Sequence, residues 1–134
     1  MKQEFNQEIR DKVLEFINFC LGCLVKCYEI HWTTDKSQTH NESDSLKWNI
    51  QDLTDSVMEQ YIGLMGKGAI GSGDINATVI AASNFDELTD SLKERCVEFK
   101  NYFKEQKSIY GGIVIKVDNF ISNVLVNIYR EEMD

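Results

Sequence analysis

The chain has 134 residues and no proline, where about one residue in twenty would be usual. Hydrophobic residues make up 43% and charged residues 27%, a composition that excludes wholesale disorder and a membrane-embedded chain. Fourteen Lys plus Arg against 22 Asp plus Glu leave a formal charge of -8 with no basic run, so a phosphate backbone is repelled and nucleic acid is set aside as a partner.

The length suits one domain over 1–134, with a real core but no room for two. The most apolar early stretch, Phe16 to Val25, is broken by Asn18 and followed by Lys26. It is too short to span a bilayer, and it begins too late and after too many acids for a signal peptide. No membrane partner is expected. The cytoplasm is the default compartment, where the four cysteines should be free thiols.

Without proline, long uninterrupted helices are favoured. Phe5, Ile9, Val13, Phe16, Ile17, Cys20, Leu24, Cys27 and His31 recur at spacings of three and four, which predicts a first helix over about 4–31. The polar segment TTDKSQTH follows, and Thr39 with Glu42 reads as a capping box. A second helix is expected from about His40 to Leu64, with Leu46, Ile50, Leu53, Val57, Tyr61 and Leu64 inward.

The glycine cluster GLMGKGAIGSG lacks the G-x-x-x-x-G-K-[ST] spacing of a phosphate loop, so it reads as a crossover that ends the second helix. Residues 77–83 have the composition for a short extra helix within it. Asn84 with Glu87 signals a second cap, opening a third helix that buries Phe85, Leu88, Leu92, Cys96, Phe99 and Phe103. Gly111-Gly112 breaks the chain again. A fourth helix carries Ile113, Val117, Phe120, Ile121, Val124 and Ile128 at helical period despite its β-branched content. The expected class is therefore all-α: a four-helix bundle with a long connection between the second and third helices, of which the ferritin-like crossover is the natural version.

The second helix carries the chemistry. With His40 at zero, Asp44 falls near 40°, Asp55 near 60° and Glu59 near 100°, while the inward residues lie between about 220° and 300°. Trp48, Met58 and Ile62 share the imidazole and carboxylate face, so this helix has a second apolar face that a second subunit would cover. His40 and Glu59 are nineteen residues apart, about 28 Å along the axis, so no single ion reaches both ends of one copy.

The spacings are four, eleven and four, a palindrome centred between Asn49 and Ile50. Two such helices packed antiparallel about a two-fold axis would bring His40 and Asp44 of one chain to Asp55 and Glu59 of the other, making two equivalent sites in an isologous dimer. His31, at the end of the first helix, would complete each one. Nitrogen and carboxylate ligands with open positions suit ferrous iron, and manganese or zinc less specifically. The bland alternative is a charge stripe on an exposed helix face.

His31-Trp32, His40-x-x-x-Asp44, Asp55-x-x-x-Glu59 and the following Gly63-Leu64-Met65-Gly66 together resemble the signature of the starvation-induced DNA-protecting (Dps) branch of the ferritin-like superfamily. Short relatives with these features look familiar from phage genomes, which extends the expected setting to the cytoplasm of a bacterial or phage-infected cell. The resemblance implies an inter-subunit iron site. His31, His40 and Asp44 would come from one chain, and Asp55 and Glu59 from its mate, with ferrous iron oxidised, typically by peroxide, and ferric mineral deposited inside a hollow dodecamer. No catalytic group beyond the metal ligands is implied.

Several features depart from the pattern. His31 and His40 are nine residues apart, closer than in the usual Dps turn, whose glycine, phenylalanine and leucine are replaced by TTDKSQT. The arginine after the Glu is Gln60, and the basic DNA-binding tail is absent. The Glu-x-x-His pairs of ordinary ferritins are missing, since Tyr28 and Ser37 stand three residues before the histidines.

Cys20, Cys23 and Cys27 share one face of the first helix and Cys96 points inward on the third. They read as small core hydrophobes, with a soft-metal store for copper(I) or zinc as the sharper alternative. A further rival is a non-catalytic dimeric bundle, viral or cellular, that keeps only the scaffold for binding or structure.

Overall fold

The computed structural model describes residues 5–128. Four α-helices organise them: α1 (Gln7–Thr33), α2 (Ser37–Met65), α3 (Phe85–Lys104) and α4 (Gly111–Asn123). Short 3₁₀ turns lie at Lys67–Ala69, Ser72–Asp74, Ser108–Tyr110 and Leu125–Asn127, and there is no strand among the described residues. The all-α, four-helix expectation is met. The expected start of the first helix at residue 4 lies outside the described residues.

Caps account for two of the starts. Asn6 accepts a hydrogen bond from the Ile9 N–H at 3.1 Å, opening α1. Asn84 accepts from the Glu87 N–H at 2.9 Å, and Glu87 reaches back to the Ser83 N–H at 2.6 Å, so the signal that predicts α3 operates as a reciprocal cap. The Thr39–Glu42 signal does not. α2 begins at Ser37 from an uncapped Lys36, and Thr39 is a buried residue of its first turn. The turn is only Thr34 to Lys36, held by the Lys36 N–H donating to Thr34 Oγ1 at 3.2 Å.

α1 packs against α2 and α3, and α4 closes the ring against both α2 and α3. α3 runs back along α1: Arg95 stacks over Phe19, Phe16 and Phe99 stack with centroids 4.0 Å apart, and Tyr102 donates to Glu8 at 2.6 Å. α4 then returns, with Lys100 paired to Asp118 at 3.1 Å. α2 and α3 therefore point the same way, and the chain between them must travel the length of the bundle.

That crossover is strapped to the outer side of α1. Arg10 donates to the Ala69 carbonyl at 3.0 Å and pairs with Asp74. Asn18 donates to the Asp74 carbonyl at 3.1 Å and accepts from the Asn76 N–H at 2.9 Å, while its own carbonyl accepts from the Thr78 N–H at 2.9 Å. The Gly71 N–H, and then Arg10, hold the Asp74 carboxyl below its ordinary pKa. Residues 75–82 carry no helix, so the short extra helix expected over 77–83 does not form. The Asn76 and Thr78 N–H groups are committed to Asn18, and extended chain covers more length per residue than a helix on the way to α3.

The core draws on all four helices. Ile9, Val13, Phe16, Ile17 and Cys20 of α1 and Leu46, Ile50, Leu53, Val57 and Tyr61 of α2 are buried as their periodicity predicts, whereas Phe5 is exposed. Each such large apolar side chain contributes about 1.5–3 kcal/mol on burial. α4 ends at Asn123, short of the expected Ile128. Asn127 donates from its side chain to the Asn123 carbonyl at 3.0 Å, and the chain tightens into a 3₁₀ turn. The stretch Ser108–Asn127 reaches a mean hydropathy of 1.3, enough by length and composition to cross a membrane. Its regular α-helix covers 13 of those residues and buries Ile113, Val117 and Phe120.

Gly22 marks the closest approach of crossover and helix. A Cβ there would run into the Thr78 carbonyl oxygen and the Ile80 side chain. Gly22→Ala should therefore destabilise the fold by about 1–3 kcal/mol through overpacking, read as a lower urea midpoint with an unchanged slope. An unchanged midpoint would contradict the strapped crossover.

Candidate metal centre

The site grows out of the short turn between α1 and α2. With only three residues between the helices, the last turn of α1 and the first turns of α2 lie side by side, and His31 faces His40. Their rings stack with centroids 3.9 Å apart and planes inclined by 24°. His31 Nδ1 meets the His40 carbonyl oxygen at 3.0 Å, and His40 Nδ1 meets the His31 carbonyl oxygen at 2.9 Å. A carbonyl only accepts, so both Nδ1 atoms carry the proton and donate.

This reciprocal pair does two things. It ties the end of α1 to the start of α2, where no side chain caps the helix. It also assigns the tautomer: in each neutral imidazole the lone pair is on Nε2, the arrangement in which a metal-binding histidine donates its other N–H to a carbonyl. Ser43, buried one turn on, donates to the His40 carbonyl as well, at 3.1 Å.

Asp44 lies on the same face of α2 as His40, with its Oδ1 4.0 Å from His31 Nε2. The same oxygen accepts from Lys47 Nζ at 2.9 Å. Lys47 is only 8% exposed, with its ammonium 4.8 Å from the Tyr28 ring centroid and 5.0 Å from that of Trp48. The hydrogen bond from Lys47, reinforced by its charge and by the two histidines, holds the Asp44 carboxyl below its ordinary pKa. The hydrogen bond to Asp44 raises Lys47 in turn.

One chain thus gathers His31, His40 and Asp44. Asp55 and Glu59 lie further along α2 and are exposed, about 16 and 22 Å from Asp44 along the axis, so they cannot join the cluster within one copy. Among the described residues no group of three or more His, Cys, Asp or Glu closes around a single point that would hold an ion. Trp32 and Trp48 flank the cluster and are 73% and 58% exposed.

The four thiols are buried and unpaired with one another. Burial pushes Cys23, Cys27 and Cys96 up to about 12 and raises Cys20 as well. They are protonated at neutral pH, and it is the thiolate that serves as a metal ligand. Sequence reasoning missed Lys47. Its signal was the Asp44-x-x-Lys47 spacing, which places opposite charges on adjacent turns of one helix.

Comparison of the chain with protein-family models, curated proteins and solved structures yields no significant match.

A depressed carboxyl stabilises the folded state above its ordinary pKa of about 4, and that contribution is lost as pH falls through the lowered value. Asp44→Asn should therefore melt below the wild type at pH 7, with the gap closing as the pH is taken below about 4. A gap constant from pH 7 to pH 2.5 would show that the carboxylate charge is not what stabilises this corner.

Proposed function

We propose that the chain is a ferritin-like, Dps-type protein that binds ferrous iron at sites shared between two copies and oxidises it there. The observation that carries this reading is the locked imidazole pair, in which the Nε2 of His31 lies 4.0 Å from the Asp44 carboxylate. Borderline nitrogen donors with a hard oxygen donor fit iron(II) by chemistry, and manganese or zinc less specifically.

Further support comes from the arrangement of the chain. The long crossover between helices that point the same way is the connection expected of a ferritin-like bundle. His40, Asp44, Asp55 and Glu59 keep their palindromic spacing on one helix that runs unbroken from Ser37 to Met65. Two copies of α2 packed antiparallel about Asn49 and Ile50 would set the histidine end of each against the carboxylate end of the other. The exposed Trp48, with half-buried Met58 and Ile62, would be covered in the same step. An isologous dimer is the minimum assembly, and a dodecameric cage is the larger version.

Ferrous iron is the substrate of this reading. His31, His40 and Asp44, with Asp55 and Glu59 of the second copy, would bind it and leave positions open to an oxidant. Two ferrous ions give up one electron each to one peroxide, and the ferric product would move toward the acidic surface. The net charge of -8 favours that movement, as it disfavours DNA.

A second reading keeps the dimeric bundle but not the chemistry, as a binding or structural protein. The observation that favours it is the Lys47–Asp44 pair, which engages the carboxylate that faces His31.

Anaerobic titration with Fe(II) followed by peroxide separates the two. A ferric absorbance change is expected in the wild type and should be lost in Asp55→Ala and Glu59→Ala. No change in the wild type favours the scaffold, and a stable monomer in solution removes the shared site under either reading.

A further inference from the structure

Lys47 is the one charged side chain among the buried residues described, and it differs from a surface lysine in what surrounds it. Its stem lies in the α1–α2 interface and its ammonium has three partners: Asp44 Oδ1 at 2.9 Å and the faces of Tyr28 and Trp48. Two aromatic faces and a carboxylate hold a cation in a fixed place far better than solvent does. The oxygen it occupies is the same Oδ1 that faces His31 Nε2 at 4.0 Å.

A divalent cation that bridged His31 Nε2 and the facing Asp44 Oδ1 would bind the oxygen the ammonium already holds. Both positive charges would then lie within a few ångströms of one another. Coulomb repulsion between them scales with the product of the charges, so it rises by half when a bound ion goes from two positive charges to three.

We propose that Lys47 is a built-in competitor for Asp44: a resident cation that holds divalent-metal affinity down and disfavours the trivalent product more strongly than the divalent substrate. The proposal rests on the metal-binding reading above and deepens it. Lys47 acts as a positioning residue and is not itself a ligand. Its role would be turnover, because a site that held ferric iron as firmly as ferrous would fill once and stop.

The test is the affinity of the purified protein for Co(II), followed by calorimetry and by the visible ligand-field bands, in the wild type, Lys47→Met and Lys47→Arg. Methionine keeps most of the stem, and far-UV circular dichroism checks the fold; Lys47→Gln supplies the same comparison if methionine disturbs it. Lys47→Met should bind Co(II) about tenfold or more tightly than the wild type, with Lys47→Arg, which keeps the charge, close to the wild type. Equal or weaker binding by Lys47→Met in a wild type that binds Co(II) would overturn the competitor and leave the metal site standing. Binding that appears only in Lys47→Met would support the competitor and count against a working iron site in the wild type. Binding in neither protein would overturn both.

Discussion

Two helices of 27 and 29 residues are turned back on each other by three residues, and the corner is closed by two imidazoles that hydrogen-bond each other's backbone. That exchange is the constraint from which the rest of the molecule follows. It sets the register of α1 against α2, and hence which residues of each reach the core. It gives the His31 carbonyl, in the last turn of α1, a donor in the His40 ring. It also leaves the far end of α2 beside the start of α1, where Arg10 gathers the outgoing crossover through Ala69 and Asp74.

The same constraint gives the corner its chemistry. A histidine that spends Nδ1 on a carbonyl has only Nε2 left, and here two do so in stacked rings, with the Asp44 carboxylate 4.0 Å from the Nε2 of His31. Structure and chemistry therefore draw on different nitrogens of the same rings, so the fold does not compete with a ligand for the imidazoles. Competition falls on Asp44 instead, because Lys47 takes its carboxylate. In the proposed antiparallel pair, Asp55 and Glu59 of a second copy would add acid to a corner that holds two imidazoles and an ammonium, so charge as well as spacing favours that orientation.

Much of the fold was legible because it rests on period. The ten core positions named for α1 and α2 recur at helical spacing, and the Asn84–Glu87 cap announces α3 at its observed start. What was misread depends on contacts that a local pattern does not contain. Thr39 and Glu42 have the right spacing for a cap, but the helix starts earlier because the corner is closed by His31 from outside it. Residues 77–83 have helical composition, but the chain enters them with Asn76 and Thr78 bonded to Asn18, about sixty residues away. α4 stops early where Asn127 folds back on Asn123.

The site divides in the same way. His31, His40 and Asp44 were legible as a cluster from their place at one turn, whereas the tautomer depends on backbone carbonyls and had no sequence signal. Lys47 reads in sequence as an ordinary surface partner of Asp44, and only Tyr28, reaching across from α1, makes it a buried and caged cation.

The most direct measurement is the protonation of the two imidazoles, by long-range ¹H–¹⁵N correlation on the purified protein near pH 7.5. Both rings should show a protonated Nδ1 and a bare Nε2, each with the proton on the nitrogen that faces the carbonyl. A spectrum in which either ring carries its proton on Nε2, or in which both average rapidly between tautomers, would contradict the reciprocal lock and the metal-ready face built on it.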